Sequence, residues 1–276
     1  MKKITAGFDG LSYSKSTRDY AISLAKDSGA LVLGVFLDDE LHTSYKVYDL
    51  IKQGISVDKL ETFAAKDSAL RDEAAADFVQ ACTAAGITHA VHRDRNDALQ
   101  ELKHESVYSD LLVIKSSEAL SHEIQKPPAR FIRELISDLH SPILLVPMEY
   151  VPITRVVLLF DAEPPSINAM KMFSYLLPQF NSYDTEIVSV NPSDSSFALV
   201  DHSYMKEFVD LHFPNARYKI LHGSAEKEII HHLEKKDKGT LVVLGANRRN
   251  AVGKFFHESM ADVLLKNVSL PIFVVH

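Results

Sequence analysis

The strongest constraint on what this chain can fold into is that it repeats itself. Residues 4–26, ITAGFDGLSYSKSTRDYAISLAK, and 155–177, RVVLLFDAEPPSINAMKMFSYLL, share one pattern. Each is a short apolar run ending in Phe-Asp, then a polar turn, then an amphipathic helical stretch, so Asp9 and Asp161 occupy the same place. ALVLGVFLDD (30–39) and TEIVSVNP (185–192) form a second pair of strands. A third pair, THAVHRDRNDALQELKHE (88–105) and ARYKILHGSAEKEIIHHLEK (216–235), reads strand, loop, helix. DLLVIKSS (110–117) matches TLVVLGAN (240–247), and SPILLVP (141–147) matches LPIFVVH (270–276). Similarity that recurs in order marks a duplicated structural unit.

Each half therefore reads as five strands alternating with about four helices. The strands are mostly continuous Val/Ile/Leu runs, the composition of strands covered by helices on both faces, which implies a parallel sheet. The expected fold is α/β, two tandem doubly wound five-stranded parallel-sheet domains of the Rossmann-like kind. At about 150 residues per domain, the 276 residues make two. The boundary is expected in PMEYVPIT, where two prolines interrupt strand pairing, giving domains 1–150 and 151–276. The first carries a long insertion after its second strand, Glu40 to Thr88. Within it KLETFAAKDSALRDEAAADFVQACTAAG (59–86) has helical spacing, whereas LHTSYKVYDLIKQGIS (41–56) reads as a short helix or lid, or as an ordered surface excursion.

Charge and cysteine content narrow the function classes. A net charge of -7 disfavours nucleic acid and anionic membrane surfaces, both of which call for a basic face. The single cysteine, Cys82, cannot form an internal disulfide, which fits a cytoplasmic protein, and it reads as a thiol buried on a helix. No signal peptide and no apolar run of about 18 residues is expected to direct the chain to or across a membrane. Thirteen histidines raise a metal hypothesis. His231 and His232 are adjacent and point to different faces of a helix, and His89 and His92 point to opposite faces of a strand. No metal site follows. Neither a G-x-S-x-G elbow nor a G-x-x-x-x-G-K-[ST] loop is present, and no nucleophilic triad follows from spacing.

In open α/β sheets, ligands bind beyond the carboxyl ends of the strands, where strand order reverses. The candidates are Asp161, Asn191, Gly223 and the loop from Gly245 in the second half, and Asp9, Asp38, Asp94 to Asp97 and Lys115 to Glu118 in the first. The bland reading of Asp9 and Asp161 is a helix N-cap or a turn aspartate.

The Asp after the first strand, HGSAEKEI after the third, and VVLGANRRNAVGKFFHESMADVLLKNVSLPIFVV at the end resemble the universal stress protein family, over nearly the whole chain and twice. The resemblance implies an adenine-nucleotide α-hydrolase-like fold and an ATP site. It places phosphates on a G-x2-G-x9-G-[ST] loop after the fourth strand, with the strand-one aspartate at the adenosine end. Gly245 matches the first glycine and Ser259 the terminal hydroxyl, but Arg248 and Glu258 stand at the other two glycine positions, and Gly253 lies off the motif. Glu258 opposes phosphate, whereas Arg248 and Arg249 favour it. The candidate nucleotide contacts are Asp161, Gly245, Asn247, Arg248, Gly253 and Ser259, with Asp9 and Gly10 in the first half. The first half holds no glycine between Asp110 and Pro142, so it departs further from the motif.

The resemblance implies a non-catalytic binding or regulatory module in the stress response. Its halves would pair as an intrachain pseudo-dimer through SPILLVP and LPIFVVH, apolar edge strands that need cover. It leaves open a homodimer and a small-molecule ligand other than ATP. The alternatives are a ligand-free interaction scaffold and a weak ATPase, for which no general base or Mg²⁺ ligand is identifiable.

Overall fold

The computed structural model describes residues 1–37, 57–94, 97–120, 125–191, 202–246 and 259–276. Among them the strands and helices alternate as the repeat requires. The first repeat runs β1 (Lys3–Asp9), α1 (Lys15–Ser28), β2 (Leu31–Leu37), α2 (Val57–Ala84), β3 (His89–Asp94), α3 (Ala98–Val107), β4 (Leu111–Lys115), α4 (Arg130–Asp138) and β5 (Ile143–Val146). The second runs β6 (Arg155–Leu159), α5 (Pro164–Leu176), β7 (Asp184–Asn191), α6 (His202–His212), β8 (Ala216–His222), α7 (Ala225–Leu233), β9 (Thr240–Gly245), α8 (Met260–Asn267) and β10 (Ile272–Val275).

The chain divides into two compact units, Met1–Ser141 and Pro142–His276. In the first, the strand order is β3-β2-β1-β4 and every pairing is parallel. In the second it is β5-β10-β9-β6-β7-β8, parallel except for β5 against β10. Those two segments, SPILLVP and LPIFVVH, meet in antiparallel register with Phe273 opposite Leu144. The division between the units falls ahead of the prolines of PMEYVPIT, so β5, which pairs with β10, lies in the second unit.

Local chemistry explains the element ends. The Ser14 hydroxyl accepts from Thr17 N at 3.1 Å at the start of α1, and Gly29, at φ 66°, closes the helix by donating to Ala25 O at 2.8 Å. The insertion's helical spacing becomes α2, whose Phe78 packs where Gly34 has no side chain; a Cβ there would lie 2.8 Å from the ring. Phe8, Phe36 and Phe78 form the aromatic centre of the first unit, with ring centroids 5.0 to 6.0 Å apart. In the second unit Phe173 on α5 meets Phe273 edge-on at 5.4 Å and stacks near Phe180 and Phe213. All four are buried.

Among the described residues no helix is long and apolar enough to cross a membrane. Truncating the hub of the second core, Phe173→Ala, is expected to lower stability by about 3–5 kcal/mol in urea unfolding, as for other buried aromatics.

Candidate functional site

β1 and β6 are the strands at which chain order reverses, since each pairs with the second and the fourth strand of its own repeat. The carboxyl ends of β6, β7 and β9 surround an open cavity of about 390 Å³. Its lining is mostly apolar (Phe160, Val188, Ile229, Leu244 and Met260 among them); it also includes Gly245, and Asp161 is its one charged residue among the described ones. The two hydroxyls in the wall are already used: Ser189 donates to Phe160 O and Ser166 to Glu163 O, each at 2.9 Å.

Asp161 is exposed and accepts from Glu163 N at 3.0 Å through Oδ1, a turn that mimics a backbone hydrogen bond. The next residue, Ala162, also lines the cavity and is held at φ 66°, a left-handed conformation uncommon without glycine. Asp9 makes the same turn in the first unit, accepting from Leu11 N at 2.8 Å. Both aspartates therefore hold turns, and neither is a helix N-cap; Ser14 and Glu163 take those positions.

Gly245 has a steric cause of its own. A Cβ there would lie 2.2 Å from Pro165 O and 2.7 Å from Ser166 N, so the missing side chain lets the first turn of α5 rest on the end of β9. Ala246 N then donates to Val275 O at 2.7 Å, tying that end to β10.

Ser259 caps α8. Its hydroxyl accepts from Asp262 N at 3.1 Å, while its own N–H donates to the Asp262 carboxylate at 3.2 Å, a reciprocal capping box. Asp262 is 4% exposed. It was absent from the candidates read off the sequence, although the Ser-x-x-Asp spacing of 259–262 signals it. Asn247, Arg248 and Gly253, with Arg249, Glu258, Asp38 and the segment 41–56, lie outside the described residues.

Of the remaining candidates, Asn191 is buried at the end of β7 and accepts from Gly223 N at 3.0 Å, and Asp97 caps α3 through Leu99 N and Gln100 N. The first unit treats its switch point differently. Lys115 ends β4 where Gly245 ends β9, and its Nζ lies 3.1 Å from Glu118 Oε2, with side chains only 8% and 4% exposed. Lys115 also donates weakly to Ser12 O and Oγ, at 3.4 and 3.3 Å. Burial raises the Glu118 pKa and the nearby Asp9 adds to the rise, against the pull of Lys115. Gly10 lies under α2, where a Cβ would stand 2.8 Å from Arg71 Cγ. Burial likewise pushes the Cys82 thiol up to about 11, with Arg18 opposing, so it is no nucleophile at neutral pH.

By sequence the chain matches no family model and no curated protein. By structure it matches a universal stress protein from Archaeoglobus fulgidus DSM 4304 with a TM-score of 0.69 at 16% identity, over 99% of this chain and 95% of that one. A functionally unknown protein from Pseudomonas aeruginosa PAO1 matches with a TM-score of 0.63 at 12% identity, over 100% of this chain and 92% of that one. At such identities the likeness is one of fold: the chain has the tandem α/β fold of universal stress protein structures.

Two expectations follow for the first-unit pair. Lys115→Met strands a buried carboxylate and is expected to cost about 3–5 kcal/mol, most of it recovered in Lys115→Met/Glu118→Met, as double-mutant unfolding checks. Because the folded-state pKa of Glu118 is raised above 4.5, the unfolded chain ionises first, so stability falls as pH rises through that window. Glu118→Gln should flatten that part of the stability-pH curve.

Proposed function

We propose that the chain is a non-catalytic binding module of the universal stress protein type, acting in the cytoplasm, with one small-molecule site at the carboxyl ends of β6, β7 and β9. The observation that carries this reading is the mostly apolar cavity with an exposed carboxylate, Asp161, in its lining. Its volume suits a flat heterocycle with an attached sugar, and Asp161 Oδ2 is placed to accept from an N–H or O–H of such a ligand. An adenine nucleoside or nucleotide is the ligand class proposed. The mostly apolar lining and the Asp161 carboxylate suit the adenosine end of such a ligand.

The first unit serves as a scaffold in this reading, since the buried Lys115–Glu118 pair stands at its switch point. The ladder of β5 and β10 supports pairing of the two repeats through their last strands within one chain.

Denaturing the purified protein and analysing the released small molecules by mass spectrometry tests the ligand class. Titrated to about 100 times its dissociation constant, the ligand adds about 2.7 kcal/mol of stability, which a melting curve detects. Asp161→Ala is expected to weaken binding about tenfold, the scale of one charge-assisted hydrogen bond. No release and no melting shift with adenosine, AMP or ATP leaves the scaffold reading for both units.

A further inference from the structure

We infer that Ala162 is a positioning residue of the second unit's cavity: its left-handed backbone holds the Asp161 carboxylate in one place for a ligand. The inference rests on the proposed reading of that cavity as an adenosine-sized site. Among the described residues two besides glycine have a positive φ, Ala162 at 66° and Leu120 at 46°, and of these Ala162 lines the cavity. The hydrogen bond from Glu163 N to Asp161 Oδ1 closes across Ala162, so the backbone angles of Ala162 decide whether it forms.

Both ends of this turn are fixed from outside it. Phe160 N donates to Val188 O, and Phe160 O accepts from Ser189 Oγ, each at 2.9 Å. Glu163 precedes Pro164, which keeps it extended at φ -87° and ψ 151°. The Glu163 carbonyl also accepts from the backbone N and the hydroxyl of Ser166, at 3.1 and 2.9 Å. Asp161 and Ala162 must span what lies between, and a strained conformation persists where its surroundings impose it. Glycine would adopt φ 66° without strain. The first repeat has glycine in the matching turn, Gly10 between Asp9 and Leu11, yet there φ is not left-handed. The chain thus carries alanine in the turn where glycine would relax the backbone, and that turn is in the wall of the cavity. A Cβ confines the left-handed region to a narrow well, whereas glycine would let the turn open and the carboxylate swing. Holding a contact group in place before the ligand arrives raises affinity, because less freedom is lost on binding.

The test is a calorimetric titration of the full chain with adenosine, with thermal melting alongside, for the wild type, Ala162→Gly, Asp161→Ala and the pair Asp161→Ala/Ala162→Gly. Ala162→Gly is expected to raise the melting temperature by about 2–4 °C as the strain is released. The same change is expected to weaken adenosine binding about three- to tenfold, since the carboxylate must then be ordered by the ligand. Stability and affinity thus move in opposite directions, which a merely structural role for Ala162 would not produce. In the Asp161→Ala background the glycine is expected to make no further difference to binding, because Ala162 acts through that carboxylate. Three results overturn the inference and leave the site reading intact: an Ala162→Gly chain that melts below the wild type, one that binds adenosine as the wild type does, or a loss that adds in full to that of Asp161→Ala. No binding of adenosine by the wild type overturns both.

Discussion

β1 and β6 each pair in parallel with two neighbours, and a parallel neighbour cannot be reached by a tight turn. Within each repeat every strand-to-strand step must cross a face of the sheet, and helices make those crossings. The strands are then covered on both sides, which is why the consecutive residues Ile4, Thr5 and Ala6, or Val156, Val157 and Leu158, are buried regardless of the side to which they point. The same pairing opens a crevice wherever the second and fourth strands flank the first. The cavity of the second unit lies there because the sheet's connectivity leaves it there.

One position is occupied differently in the two units. At the end of β9, Gly245 has no side chain, and the first turn of α5 occupies the space. At the end of β4 the same place carries Lys115, a long cation that meets Glu118 in a buried pair. The pair fixes its own partners: each charge is desolvated, and each makes the other tolerable. At the start of α8 the Asp262 carboxylate answers the helix N-terminus through its capping box with Ser259. In both units a charged residue stands at or just past the end of a central strand, Lys115 on β4 and Asp161 after β6.

The likeness to a universal stress protein structure extends over nearly the full length of both chains at 16% identity. Fold survives such divergence because its determinants are redundant. Many different apolar residues fill a strand buried on both faces, whereas a phosphate loop depends on a few positions where a side chain changes sterics and charge together.

Element order, the α/β class and the duplication were legible in the sequence, because buried parallel strands must be continuous apolar runs and the turns between them must be polar. For Asp9 and Asp161 the sequence left a helix N-cap and a turn both open, and the structure shows turns, each aspartate bonding the backbone two residues on. What the sequence left open was how residues distant along the chain share space. That α2 lays Arg71 over Gly10 and Phe78 against Gly34 follows from how an insertion packs, which no local pattern encodes. The same holds for Pro165 resting on Gly245: the first turn of α5 takes the space that the glycine's missing side chain leaves. Local propensity and periodicity determine which elements form. Only packing decides which of them claims the space a missing side chain leaves.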